Sequence, residues 1–320
     1  MILVTGASGF IGSHVADALL ARGAPARALI RRSSSHRYLP RVEVAYGDLT
    51  TGYGLGEALA GVTTVIHAAG VTKALHRDDY HRGNIQATEM LARSVARQGI
   101  RLVHVSSLAA VGPSRTETLP AEDAEPRPLT HYGRSKLEAE RIVRSLTPDA
   151  VIVRPPVVYG PRDTGVLQVL KPISRGWSLE IAGGPRWFSA IYVADLVGGL
   201  LLAAVHPLAA GRTYFLSHPE RVCWSEFAAA AGRIMGRRPR VVRLPVAVAR
   251  AVGFGAELWS QLTRQPGILS REKIAEAECR AWLCDPTRAT RELGFNAATP
   301  IENGLARTLG WYKEAGWLQY

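Results

Sequence analysis

The sequence predicts an α/β fold, a doubly wound parallel sheet with a smaller C-terminal lobe. Three observations predict it. A wholly apolar run at residues 2–4 passes through a glycine-rich turn into a helical pattern. Short apolar runs then alternate with helical stretches through the first half of the chain. The residues that end those runs are small or polar. Such runs suit parallel strands buried on both faces, and the stretches between them suit crossover helices.

The first strand, Ile2-Leu3-Val4, stops at Thr5-Gly6, and residues 10–22 place apolar side chains near helical spacing with Gly23 as a stop. Gly6, Gly9 and Gly12 lie between strand and helix, together with Ser8, Phe10 and Ile11. Glycines there let the backbone take positive φ and let a bulky anion reach the amides. The helix N-terminus adds unpaired N–H groups and a dipole that favours phosphate. These six residues are therefore expected to form one end of a dinucleotide site. Residues 26–30 read as a second strand ending in Arg31-Arg32. An acid at that strand end bonds the ribose 2′-hydroxyl of NAD, whereas arginine accommodates the 2′-phosphate of NADP. No Asp or Glu occurs in residues 18–42, so NADP is the expected cofactor and NAD the alternative. The other reading of Arg31 and Arg32 is a pair of solvated strand-end residues.

Residues 42–44 give a third strand, followed by Gly47-Asp48-Leu49. Asp48 either accepts from the adenine amino group or caps the next turn. A short helix ends at Gly61, and residues 65–69 form a fourth strand. At its end Ala68, Ala69 and Gly70 are small enough for a cofactor to lie against the backbone. A long helix over 79–97 contains Asn84, and a fifth strand over 102–105 ends in Ser106-Ser107. The proline-rich, acidic stretch 114–130 reads as a solvated loop. It hands over to a helix that Thr130 caps and that runs to about residue 146. Tyr132 and Lys136 lie one turn apart on a face of that helix. An ammonium beside a phenol favours the phenolate and lowers its pKa towards working pH. A tyrosine so tuned becomes a usable general acid or base.

The turn Thr5-Gly6-x-x-Gly9-x-x-Gly12, Ser107 after strand five, and Tyr132-x-x-x-Lys136 on the next helix together resemble the short-chain dehydrogenase/reductase superfamily, in its extended branch. The resemblance continues in Asn84, in residues 154–161 (RPPVVYGP), in residues 191–196 (IYVADL) and in Asp285 near Arg288. It implies a Rossmann domain over 1–160 and about 188–217, and a substrate-binding lobe over 161–187 and 218–320. It also implies that Tyr132 exchanges a proton with the substrate oxygen while hydride passes to or from nicotinamide C4. Lys136 would hold the nicotinamide ribose, and Ser107 would hydrogen-bond the reacting oxygen, with counting back from Gly112 favouring it over Ser106. Asn84 would orient the lysine or pin its own helix, Pro155 would join the cofactor site, and Asp195 would act as an anchor. Extended relatives often dimerise through helices near 79–98 and 131–146, so a homodimer is expected.

Within this family the substrate is narrowed by two departures. Dehydratases resemble one another in carrying Thr-Asp-Glu where this chain has Ser107-Leu108-Ala109, which removes the acid and base that eliminate water. Val157 stands where an asparagine contacts the substrate diphosphate, which points to a more apolar substrate. The run from Ser106 to Pro113 instead looks like the hydroxysteroid dehydrogenase and dihydroflavonol reductase branch. The expected activity is interconversion of a secondary alcohol and a ketone on a mostly apolar small molecule, with a nucleotide-sugar epimerase as the alternative. Arg186 would meet an anionic substrate group or pair with an acid, and Trp177, Trp187 and Trp224 would line the cleft or simply pack. Residues 245–262 read as a helix with few charges: a lid, a membrane contact, or a core helix of the lobe.

Composition excludes several other classes. The chain has 320 residues, 47% hydrophobic and 21% charged, with a formal net charge of +12. Its arginines are scattered, and neither a helix-turn-helix nor a zinc-finger spacing occurs, so nucleic acid is not expected as a partner. The charge reads as a background that favours anionic ligands. Cys223, Cys279 and Cys284 make no CxxC pair, so neither a metal site nor a disulfide framework is expected. A core strand opens the sequence in place of a signal segment, and charges interrupt the most apolar stretch, so a cytoplasmic protein without a membrane span is expected.

Overall fold

The computed structural model describes the chain apart from residues 116–118, 265–266 and 268–269, so Glu117 of the acidic loop lies outside the described residues. The chain opens with β1 (Ile2–Thr5), α1 (Phe10–Ala21), β2 (Ala26–Ile30), β3 (Glu43–Tyr46), α2 (Leu55–Leu59) and β4 (Thr64–His67). Next come α3 (Arg77–Tyr80), a π-helical turn over His81–Gln86, α4 (Ala87–Gln98), β5 (Arg101–Val105), α5 (His131–Leu146) and β6 (Val151–Val153). They are followed by β7 (Val157–Tyr159), α6 (Gly165–Ser174), β8 (Trp177–Ile181), β9 (Trp187–Tyr192), α7 (Val193–Val205) and β10 (Thr213–Tyr214). The remainder holds β11 (Arg221–Cys223), α8 (Trp224–Ile234), β12 (Arg240–Leu244), α9 (Val246–Thr263), α10 (Arg271–Glu278), β13 (Ala281–Trp282), α11 (Thr287–Leu293) and α12 (Ile301–Glu314).

The main sheet has seven parallel strands in the order β10-β6-β5-β4-β1-β2-β3. The chain runs outward from β1 to β3 and then returns to β4 on the other side of β1. The strand order therefore reverses between β1 and β4, and a crevice opens beyond their carboxyl ends, the usual ligand position in such sheets. One apolar layer joins strand residues such as Val4 and Ile66 to Leu19, Leu200 and Phe295, and the other joins Leu3 and Val65 to Leu59, Leu91 and Val143. A separate core, built on Tyr159, Leu170, Phe227, Leu309 and Tyr312, fills the smaller lobe. There β9 pairs with β7, β11 and β13, while β8 pairs with β12.

Several expectations need correction. The stretch 218–320 does not sit wholly in the lobe, because Ala289, Leu293, Phe295 and Ala297 complete the layer against the main sheet. The helix expected over 79–97 is broken by its π turn, a feature that often accompanies functional positions. The loop 114–130 is not uniformly solvated: Glu122 is buried, accepts the Phe215 N–H at 3.1 Å and pairs with Arg288 at 3.3 Å. Helix α9 is not a core helix, since only Ala249, Gly253 and Ser260 are buried. No helix among the described residues is long and apolar enough to cross a membrane.

What fixes α5 against the sheet is a buried ion pair. Arg154, just past β6, donates from Nε to Glu140 Oε1 at 3.0 Å and from Nη2 to Glu140 Oε2 at 2.7 Å. Its Nη1 donates to the Glu122 carbonyl at 2.8 Å, and the Ser106 hydroxyl donates to Glu140. Removing one partner of a buried pair strands the other charge. Glu140→Ala should lower unfolding stability by about 3–5 kcal/mol, read by denaturant melts. A paired Glu140→Leu, Arg154→Met change should recover much of that loss.

Candidate active site

Two adjoining cavities lie at the carboxyl edge of the main sheet. The first, of about 250 Å³, is walled by Thr5, Gly6, Ser8, Gly9, Ile30, Arg31, Ser34, Asp48, Leu49, Thr50 and the strip from Ala68 to Val71. Its geometry explains the glycines. Gly6 has φ +70°, and a Cβ there would lie 2.7 Å from the Ala69 nitrogen. A Cβ on Gly12 would lie 2.2 Å from the Gly6 carbonyl oxygen. Gly9 is exposed towards the opening, while its own N–H donates to the Gly6 carbonyl at 2.9 Å. Gly6 thus lets β1 and β4 approach, Gly12 seats the helix on the turn, and Gly9 leaves room for a ligand. Phe10, Ile11 and Gly12 back this turn without walling the cavity.

Arg31 is exposed at the rim, whereas the Arg32 guanidinium sits 5.2 Å from the centre of the Tyr46 ring, outside the cavity walls. Asp48 accepts from the Thr50 N–H at 2.8 Å and the Thr50 hydroxyl at 2.7 Å. The carboxyl is held below its usual range, first by the Thr50 hydroxyl. Asp48 therefore caps its turn while also facing the cavity. The cradle, the bare helix N-terminus and the small residues Ala68, Ala69 and Gly70 fit an extended dinucleotide.

Tyr132 lines the second cavity, and the Lys136 amine lies behind the first, 3.9 Å from where a Cβ on Gly70 would stand; Ser107 walls neither. The Ser107 hydroxyl accepts the Ala109 N–H at 3.1 Å and lies close enough to the Tyr132 hydroxyl to favour its ionised form. Ser106 points elsewhere, to Glu140. Thr130 caps α5 by accepting the Gly133 N–H at 3.1 Å. Lys136 is buried and donates from Nζ to the Val105 carbonyl at 2.7 Å. Asn84 is also buried. It donates to the Val71 carbonyl at 2.9 Å and to Ser135 Oγ at 2.8 Å, and accepts the Val71 N–H at 2.6 Å. Asn84 thus binds the strip after β4 to α5 and does not touch the lysine amine with a hydrogen bond.

The electrostatics differ from the sequence expectation in one respect. Burial pushes the Tyr132 phenol up to about 12, with the nearby Ser107 hydroxyl opposing it. Burial lowers the Lys136 ammonium to about 8, with Glu140 opposing that. The lysine is turned to a carbonyl, so in this state it does not pull the phenol down. Beneath it, the Thr5 hydroxyl takes the Ala69 N–H at 3.3 Å and stands 2.7 Å from His67 Nδ1, while His67 Nε2 stands 3.0 Å from the Thr88 hydroxyl. Burial, then the nearby ammonium, lowers His67 to about 3.

The second cavity, about 420 Å³, runs from Thr72, Tyr80 and Tyr132 to α9 and α10. Leu75, Leu129 and Ala275 give it apolar wall, and Glu272 and Glu276 bring carboxylates towards Tyr132. Their charges are partly matched, because Lys273 pairs with Glu276 at 2.6 Å and Glu272 accepts the His131 N–H at 2.8 Å.

Residues 2–216 match the model of the NAD dependent epimerase/dehydratase family. The chain belongs to this family. Among its relatives is the ceramide reductase of Caulobacter vibrioides (strain NA1000 / CB15N), 31% identical over 99% of this chain and 96% of the relative. Another is a 4-hydroxy-2-methyl-3-oxo-4-farnesyl-3,4-dihydroquinoline-1-oxide ketoreductase of Stigmatella aurantiaca, 30% identical over 94% of this chain and 93% of the relative. In structure it resembles MoeE5, solved with UDP-glucuronic acid and NAD, at a TM-score of 0.78 and 25% identity over 98% of this chain and 99% of MoeE5. It is an enzyme of the NAD-dependent oxidoreductase and epimerase type.

For this member of the epimerase/dehydratase family, other expected site residues fall elsewhere. Arg186 is a loop clamp, not a free cation: its guanidinium donates to the carbonyls of Ala277, Ile181, Gly184 and Ala182. Val157 is exposed on β7, outside both cavity walls. Pro155 is buried and accepts the Leu108 N–H at 2.9 Å, which supports the Ser107 turn from behind. Trp177, Trp187 and Trp224 line neither cavity; Trp224 stacks on Phe227. Asp195 anchors Thr299 through its N–H at 2.9 Å and its hydroxyl at 3.0 Å. The cysteines are free, and no metal-binding cluster occurs among the described residues.

Sequence reasoning missed Glu140 and the pair Thr5–His67. Glu140 was legible as the next step of the helical series Tyr132, Lys136, Glu140. The contributions of Glu272 and Glu276 had no local signal, since α10 reaches the site only through the folding of the lobe. The chain has five lysines, which makes a direct test practical. With lysines labelled by 13C-methyl groups, the Lys136 resonance should titrate near pH 8. Lys136→Met should remove that resonance alone.

Proposed function

We propose that this protein reduces a ketone to a secondary alcohol on an amphiphilic molecule with a long apolar portion, using NADPH. The observation that carries the reading is the nearness of Ser107 to Tyr132, with Tyr132 lining a mixed polar and apolar cavity that continues from the glycine cradle through the strip from Ala68 to Lys73. Bound in the first cavity, the cofactor supplies the hydride. Ser107 and Tyr132 then hold the ketone oxygen from the protein side. Burial keeps the phenol protonated, which is the state needed to give a proton to an oxygen gaining negative charge. Lys136 presents a cation beneath the site, and Asn84 fixes the strip from Ala69 to Val71 against α5.

The polar end of the substrate would face Glu272 and Glu276, with the apolar part leaving along α9. Support for such a molecule comes from the two relatives above, whose names describe reduction of a ceramide and of a farnesyl-bearing ring ketone. The choice of NADPH rests on Arg31 at the rim and the absence of an acid in residues 18–42. Catalysis in the cytoplasm as a homodimer remains part of this reading.

Tyr132→Phe should lower ketone-dependent oxidation of NADPH by about a thousandfold or more, with cofactor affinity nearly unchanged. The assay is the nicotinamide absorbance with a long-chain 3-keto amide. Full activity of the variant, or turnover of a UDP-sugar with no net absorbance change, would reject the reading. Arg31→Asp should weaken NADPH binding by about tenfold to a hundredfold and improve NADH, as measured by the two KM values.

A further inference from the structure

Helix α9 reverses the usual arrangement of a surface helix. Its buried side carries only the small residues Ala249, Gly253 and Ser260, packed on α10 and the segment before it. A Cβ on Gly253 would lie 2.6 Å from Ile274, so the two helices are in close contact. Its two charged residues are paired with α10: Arg250, still 68% exposed, with Glu278 at 2.7 Å, and Glu257 with Arg271 at 2.9 Å. Apart from Arg250, Gln261 and Thr263, the side chains that remain for solvent are apolar. Val248 and Val252 are each 46% exposed, Leu258 46%, Trp259 68% and Leu262 79%. At about 100° per residue, Val248, Val252, Trp259 and Leu262 fall on one narrow stripe, with Leu258 on its flank. From Val248 to Leu262 the stripe extends over roughly 21 Å. Exposed apolar surface of that extent marks a contact site.

We propose that this face of α9 seats on an anionic lipid bilayer and brings the second cavity to the membrane surface, so that the ketone is taken from the bilayer. The part concerning the ketone rests on the function proposed above. Two observations select a bilayer over a second copy of the chain. Arg243 precedes α9 and Arg264 ends it, both exposed, and the formal net charge is +12. Lipid phosphates match that charge, whereas a second copy would bring like charges together. In addition, Glu257, Ser260 and Gln261 of the same helix wall the cavity that holds Tyr132. An amphipathic helix lying in the interface buries its apolar side among acyl chains while flanking arginines reach the headgroups. Here that position places the mouth of the cavity next to the acyl chains.

Flotation of the full-length protein on vesicles tests the proposal. Vesicles of phosphatidylethanolamine with a minority of phosphatidylglycerol should carry the protein upward, more so at low salt, and pure phosphatidylcholine vesicles much less. Trp259→Glu combined with Leu262→Glu should reduce the bound fraction by about tenfold, with the melting temperature and NADPH affinity unchanged. Wild-type protein that fails to float, or a double variant that floats as well, would overturn the proposal. So would a wild-type dimer in sedimentation that the double variant dissociates, which would assign the face to a second copy. Flotation without any ketone-dependent NADPH oxidation would uphold the docking face and reject the ketoreductase reading instead.

Discussion

The buried pair between Arg154 and Glu140 is the constraint on which the arrangement of this site depends. Lys136 and Tyr132 are one and two turns up the same helix, and their positions are set by how that helix meets the sheet. Glu140 is fixed by three donors at once, from Arg154 and Ser106, and Arg154 in turn grips the carbonyl of Glu122. The end of β5, the start of the strand-six loop and the acidic loop are thereby tied to one carboxylate. A buried ion pair adds little net stability over apolar packing. What this one contributes is a definite register between the phenol on α5 and the serine after β5.

The two ends of the site are held in different ways. At the nucleotide end the devices are steric: glycines remove side chains so that backbone amides crowd together. At the reacting end they are polar and buried: Asn84 spans a π-helical turn, the strip after β4 and α5. Thr5 and His67 continue this polar column under the lysine. The low dielectric that keeps His67 neutral also moves Tyr132 and Lys136 from their ordinary values, in the directions that keep a phenol protonated and an amine close to losing its proton.

Much of this was legible in the sequence where periodicity or motif spacing is local. The strands of the main sheet, the Gly6–Gly12 turn, the Thr130 cap and the Tyr132–Lys136 face all follow from neighbours in the chain. Legibility failed where a side chain's partner is distant. Arg186 looks like a free cation until the carbonyls of Ala182 and Ala277 close on it. The effect of Lys136 on Tyr132 was read from helical spacing, but the carbonyl of Val105 claims the amine. For α9, apolar residues at helical spacing suggest burial. Only the fold reveals that small residues face inward and large ones outward.

Strand β10 forms one edge of the main sheet. It pairs with β6 through just Thr213 and Tyr214, and Arg144 from α5 binds the Gly211 carbonyl and the Thr213 hydroxyl. An extended segment from another molecule would find only two rungs there. The sheet can therefore stay rich in valine and isoleucine across its width without inviting a neighbour to continue it. Lengthening β10, or trimming Arg144, would be the modification most apt to turn this enzyme towards fibrous self-association.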